Sequence, residues 1–140
     1  MPSVAILHDN DPREVIWNKV GDLSGVEVFN NDVMVAIYER SREAKTKSGL
    51  YLPDRVLEED THQGKVGLIL KMGPKAFSDP DFEESEKCSV GDWVFFRPSD
   101  GWRATMNTLQ GAVSKDSTVN LRIVRDISIR GRVQNPDLIY

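Results

Sequence analysis

One cysteine and two histidines are the only thiol and imidazole ligands in the 140-residue chain. Cys88 has no second cysteine to bridge, and His8 and His62 have no spacing that resembles a zinc site. So few thiols fit a reducing compartment. Positive charge is also in short supply. Eighteen Lys and Arg face 22 Asp and Glu, a formal net charge of −4, so the chain lacks the field with which nonspecific nucleic-acid binders gather phosphates. Arg97, Trp102 and Arg103 are the only grouping on which a single strand would stack, and no basic stripe continues from them.

Long apolar runs are missing as well. The longest, Val33 to Tyr38, falls far below the roughly 20 residues of a membrane-spanning helix. The opening "MPSVAILHDNDPREV" has no basic stretch before its short apolar patch and carries acids directly after it, unlike an export signal. These absences predict a cytoplasmic protein, with no membrane, nucleic acid or metal as partner.

Nucleotide cradles are absent too. There is neither a Gly-x-Gly-x-x-Gly nor a Gly-Lys-Ser/Thr loop, so the chain is not expected to hold a dinucleotide or to hydrolyse nucleotide. The acids Asp79, Asp81, Glu83, Glu84 and Glu86 do not have calcium-loop spacing and read as a solvated face. His62, beside Gln63 and near Asp60, reads as a surface or hinge residue. The expectation is no catalytic residue, no cofactor and no enzyme.

With 39% hydrophobic, 29% charged and 8% aromatic residues, the chain has the material for a single globular domain with one core. A short helix is predicted near the start, where Asp11 and Glu14 have capping-box spacing, Pro12 takes the first helical position and Gly21 ends the pattern. Ile16 and Val20, one turn apart, dock it on the core; Trp17 lies just off that stripe. From there on the signals are those of strands: "VMVAIY" at 33–38, "KVGLIL" at 65–70, "DWVFF" at 92–96 and "LRIVRDISI" at 121–129. In the last, Leu121, Ile123, Ile127 and Ile129 share one parity and Arg122, Asp126, Ser128 and Arg130 the other, which predicts one buried face. "MGPKAFSDPD" and "RPSDG" mark turns and loops. Short strands at this spacing form a barrel or a sandwich.

One connection is too long for a hairpin. Residues 39–63 separate two strong strands. The first part, "ERSREAKTKSG", carries four bases and two acids, and "DRVLEED" carries four acids and one base, so both arms favour water. Between them stands Leu50-Tyr51-Leu52, with Gly49 freeing the backbone before it and Pro53 biasing Leu52 toward an extended conformation. Two readings of this tripeptide stand side by side: an apolar ligand carried on mobile arms, or an edge strand folded back on its own barrel.

Read in order, these stretches resemble the GroES family of co-chaperonins. "NNDVMVAIYER" stands for the family's first barrel strand, and "TKSGLYLPD" for its mobile-loop core of the type TKSGG-apolar-apolar-Leu-Pro. "GKVGLILKMGP" follows in place of the GEV strand. "SVGDWVFF" corresponds to KVGDxVxF through Val90, Gly91, Asp92, Val94 and Phe96, and the final strand shares Val124, Asp126 and Ile127. The resemblance covers roughly residues 30–133. It implies a GroES-like β-barrel at 28–133 with a mobile loop at 39–63, preceded by an N-terminal extension, 1–27, carrying the short helix, and followed by a tail, 134–140. It also implies a homoheptameric ring that caps an ATP-driven, GroEL-like chaperonin double ring over a non-native client. Ser48, Gly49, Leu50, Tyr51, Leu52 and Pro53 would grip the chaperonin, Gly91 and Asp92 would form a structural turn, and ATP would be bound by the partner.

Three features depart from the family: the two extra ends; residues 73–87, acidic and without a clear turn for the roof hairpin; and the long stretch 97–120, in which Trp102 is expected to pack. Extra ends of this kind would suit a bacteriophage-encoded co-chaperonin that adapts a host chaperonin to a bulky capsid protein. The alternative is a barrel recruited as a structural or assembly component of a viral particle, located in the virion, without a chaperonin partner. Zinc alcohol dehydrogenases share the barrel, but one cysteine and two histidines do not reproduce their ligands.

Overall fold

The computed structural model describes residues 6–7, 11–38, 45–46, 65–107 and 118–138. Helix α1 spans Pro12–Val20. Asp11, in extended conformation, caps it by accepting from the Arg13 amide at 2.9 Å, and Pro12 fills a position that needs no N–H. Gly21 closes it at φ 63°, donating its own N–H to the Trp17 carbonyl. Val20 is buried. Ile16 and Trp17 are partly buried and pack against the same cluster, so the docked stripe is wider than the one-turn pair read from the sequence.

The strands are β1 (Ile6–Leu7), β2 (Asp32–Ile37), β3 (Lys45–Thr46), β4 (Val66–Met72), β5 (Trp93–Phe96), β6 (Trp102–Asn107), β7 (Thr118–Arg125) and β8 (Ile129–Val133). Six of them form one antiparallel sheet in the order β6-β7-β2-β4-β5-β8, and β1 pairs with β3 apart from it. This is the mainly β architecture with one short helix that the sequence implied. Among the described residues no pairing joins the edge strands β6 and β8.

The apolar run in β2 explains the layering. Every residue from Val33 to Tyr38 is buried, so both faces of the sheet must be covered. Met34, Ala36 and Tyr38 face a cluster with Leu68, Leu70, Trp93, Leu121 and the helix residue Val20, closed by Leu23. Val33, Val35 and Ile37 face the other way, with Ile69, Phe77, Cys88, Val94, Phe96 and Val124. A bulge opposite Met34/Val35 shifts the register of β4, so that Met72 falls on the Ile69 side although Leu68 and Leu70 do not.

Three expectations fail here, each for a physical reason. The run at 121–129 is not one strand: a 3-10 turn at Asp126–Ser128 separates β7 from β8. The alternation therefore breaks, leaving Ile127 64% exposed while Asp126 is only 2% exposed, and within β7 both faces are covered, so Arg122 is also only 2% exposed. Trp102 does not pack inside but lies exposed on the edge strand β6. Moreover, β6 itself forms a hairpin with β7 inside the stretch read as a long connection, with Trp102 opposite Ile123 and Asn107 opposite Thr118.

That hairpin arm starts from Gly101, at φ 73°, where an added Cβ would stand 2.2 Å from the Ile123 carbonyl oxygen. Both the backbone conformation and the close approach demand glycine. Gly101→Ala is expected to lower stability by about 1–3 kcal/mol, read as a lower midpoint in urea.

Candidate partner-binding site

The connection that carries the apolar tripeptide leaves the sheet and returns to it between two adjacent strands. Ile37 stands opposite Gly67, and the Tyr38 amide donates to the Val66 carbonyl at 2.8 Å. The two ends of the connection are thus one strand spacing apart, about 4.8 Å. The stem is firm. Tyr38 meets Trp93 edge to face with ring centroids 5.4 Å apart, and Gly67 lets Val35 close over it, since a Cβ there would lie 2.8 Å from a Val35 methyl. The Lys65 carbonyl accepts from the Phe96 amide at 3.1 Å, which ties the return point to β5.

Of the residues expected to grip a partner, Ser48, Gly49, Leu50, Tyr51, Leu52 and Pro53 lie outside the described residues. Within the same connection, Lys45 and Thr46 form β3 against β1.

Gly91 and Asp92 sit in a turn at the opposite side of β4. Gly91 has φ 95°, and its amide donates to the Ile69 carbonyl at 2.9 Å. The Asp92 carboxylate accepts from the Ser89 amide at 2.9 Å, closing the turn from within. The Arg132 guanidinium of β8 lies 3.7 Å from the same carboxylate and donates to the Ser85 and Lys87 carbonyls. The turn thereby joins β4, β5 and β8. Beneath it Cys88 is buried, and that burial raises its thiol pKa more than Arg132 lowers it.

Two buried polar residues hold the scaffold together, and neither was singled out as a site from sequence. The Asp126 carboxylate accepts from the Phe77 amide at 2.9 Å, the Ile127 amide at 2.7 Å and the Asn31 side chain at 3.2 Å. It therefore clips the start of β2 and the turn at 74–77 to the β7–β8 junction. Arg122 donates to the Pro98 and Asp100 carbonyls at 2.7 and 2.8 Å and lies over the Phe96 ring. The signal for both was a charged residue inside an apolar run, which strict alternation assigned to solvent.

Beside β4 runs an open apolar groove of about 530 Å³, lined by Val26, Val28, Phe29, Met72, Pro74 and Val90 among others. Phe29 is 65% exposed and Val90 is exposed beside it. Glu27 and Lys71 also line it, so its rim is charged. The acids Asp79, Asp81, Glu83, Glu84 and Glu86 are all exposed. Among the described residues no helix is long and apolar enough to cross a membrane, and no group of three or more His, Cys, Asp or Glu is placed to hold a metal ion.

Comparison with known proteins bears on the same region. Residues 26–120 match the sequence model of the family described as the chaperonin 10 kDa subunit. The chain is 34% identical over 71 residues to the co-chaperonin GroES of Syntrophomonas wolfei subsp. wolfei, a stretch covering 51% of this chain and 69% of that protein.

Proposed function

Because this chain belongs to the chaperonin 10 kDa subunit family, we propose that it works as a co-chaperonin, a ring that caps an ATP-driven chaperonin and assists the folding of an enclosed client. The family match across residues 26–120 carries the reading. It spans the strands that form the stem, the connection between them and the turn at Gly91–Asp92.

The grip falls to Ser48–Pro53. Burying one Leu or Tyr is worth about 1.5–3 kcal/mol, so the three apolar residues supply about 5–9 kcal/mol gross. Ordering each loop residue costs about 1–2 kcal/mol, so a single loop binds weakly. A homoheptameric ring turns the later contacts into intramolecular ones, giving high avidity from contacts that are each reversible. A folding cycle driven by ATP needs that combination. Nucleotide is bound and hydrolysed by the partner, and this chain performs no chemistry.

Ring assembly would also cover the groove at Phe29 and Val90. Phe29→Asp is expected to shift the solution mass from ring toward monomer without loss of the fold, since burying a Phe at each subunit contact contributes about 1.5–3 kcal/mol. An unchanged mass would place the ring contact elsewhere.

Chaperonin-assisted refolding tests the function directly. With a double-ring chaperonin, ATP and an aggregation-prone client, stoichiometric addition of this protein is expected to raise the yield of native client. No increase over chaperonin and ATP alone would contradict the reading.

A further inference from the structure

The ladder between β1 and β3 joins a segment inside the family match to one outside it. Ile6 stands opposite Thr46 and Leu7 opposite Lys45, antiparallel, and among the described residues neither strand pairs with the six-stranded sheet. β3 belongs to the connection between β2 and β4, two residues before Ser48. β1 belongs to the N-terminal extension, which together with α1 lies outside the residues 26–120 that match the family. The pairing is therefore an addition of this chain to the segment proposed to grip a partner.

Chain length gives the ladder its leverage. From Leu7 to the helix cap Asp11 is four residues, a reach of at most about 14 Å. The helix beyond is fixed, with Val20 in the core and Ile16 and Trp17 against it. Along its own strand, β3 is seven residues from Tyr38 and nineteen from Lys65, reaches of up to about 25 and 65 Å. The shortest tie from this part of the connection to the core thus runs through β1 and α1. A two-residue ladder is marginal in isolation, so the tie is reversible.

We propose that β1 is a strap that presets the base of the gripping loop. It holds Lys45 and Thr46 extended before a partner arrives, and so removes part of the ordering that docking otherwise requires. This rests on the co-chaperonin reading. Its prediction is specific to the extension: weakening β1 weakens partner binding although β1 pairs with Lys45 and Thr46, ahead of the grip in the chain.

The test uses the full-length double variant I6P/L7P, because proline removes the backbone N–H a ladder needs. Amide exchange is followed at Lys45 and Thr46 in the free protein, and affinity is measured for a double-ring chaperonin with ATP. The variant is expected to lose protection at Lys45 and Thr46, keep it in β2 and β4, keep its solution mass, and bind the chaperonin at least about tenfold more weakly. The conservative variant I6V/L7I, which keeps the backbone donors, should match the wild type in both measurements. The proposal is overturned if I6P/L7P binds as well as or better than the wild type, or if Lys45 and Thr46 are unprotected in the wild type. Wild-type protein that fails to bind any chaperonin would overturn the co-chaperonin reading and the strap's purpose with it. Protection at Lys45 and Thr46 would still report separately whether the ladder forms.

Discussion

Leu52→Asp is expected to abolish chaperonin binding while leaving the melting temperature and the solution mass unchanged. Each loop loses the burial of a leucine, about 1.5–3 kcal/mol, and must also desolvate a carboxylate wherever the leucine docked. Because every copy in the ring carries the change, the loss compounds through avidity rather than adding once. Leu50→Asp should behave alike. The fold should survive because β2 and β4, on either side of the connection, pair directly with each other and pack on both faces with residues from 16–38 and 66–133. The measurement is co-elution with a double-ring chaperonin and ATP, alongside a thermal melt. A variant that misfolds would show instead that the tripeptide is an edge strand of the sheet, the alternative that sequence pattern left open.

The largest stability effect is expected at Trp93. Its side chain is 2% exposed and sits in β5 opposite Leu68 on one side and Val133 on the other, edge to face with Tyr38. Trp93→Ala removes the largest fully buried side chain of the core and leaves a cavity between the sheet and the layer formed by α1 and residues 23–28. The expected cost is about 3–5 kcal/mol, a large share of the 5–15 kcal/mol that stabilises a domain of this size. Trp93→Phe should recover part of it, because an aromatic edge remains for Tyr38. Urea titration reads the effect. A loss below about 1 kcal/mol would mean that this face of the sheet is not closely packed.

Tyr38 links the two predictions. It is the last described residue before the connection, and its ring rests on Trp93. The stem of the proposed grip is therefore only as rigid as the core beneath it. Trp93→Ala should also loosen amide protection at Tyr38 and Val66 before global unfolding.

The parts of this architecture that were legible in the sequence are those where one residue type does one job. β2 and β4 read as strands because their apolar runs have no other use, and α1 read as a helix because Asp11, Pro12 and Gly21 each act locally. β6 was not legible. "WRATMN" does alternate, with Trp102, Ala104 and Met106 on one parity, but it follows the turn signal "RPSDG" and is short and lightly apolar, and only Ala104 and Met106 reach the core while Trp102 stays exposed. Asp126 was assigned to solvent because parity holds only while a strand continues, and the 3-10 turn at Asp126–Ser128 interrupts it; Arg122 was so assigned because alternation presumes one wet face, whereas β7 is covered on both, by the cluster of Leu121 and by that of Val124. Their burial is set by partners far along the chain, Asn31 and Phe77 for one, Pro98 and Asp100 for the other. Local pattern carries no trace of these contacts.

The proposed grip was legible for a different reason. Leu50-Tyr51-Leu52 contrasts with the charged arms on both sides, and contrast is a property of sequence alone. What the sequence did not reveal was the stem, with Ile37 opposite Gly67, or the tie from β3 to β1. Both depend on backbone register between segments that are distant in the chain.

The central claim is tested most directly by the mass of the purified protein in solution, by light scattering, alone and then mixed with a double-ring chaperonin and ATP. A homoheptamer that co-elutes with the chaperonin only when nucleotide is present is the predicted result. A monomer that ignores the chaperonin with and without ATP would contradict it.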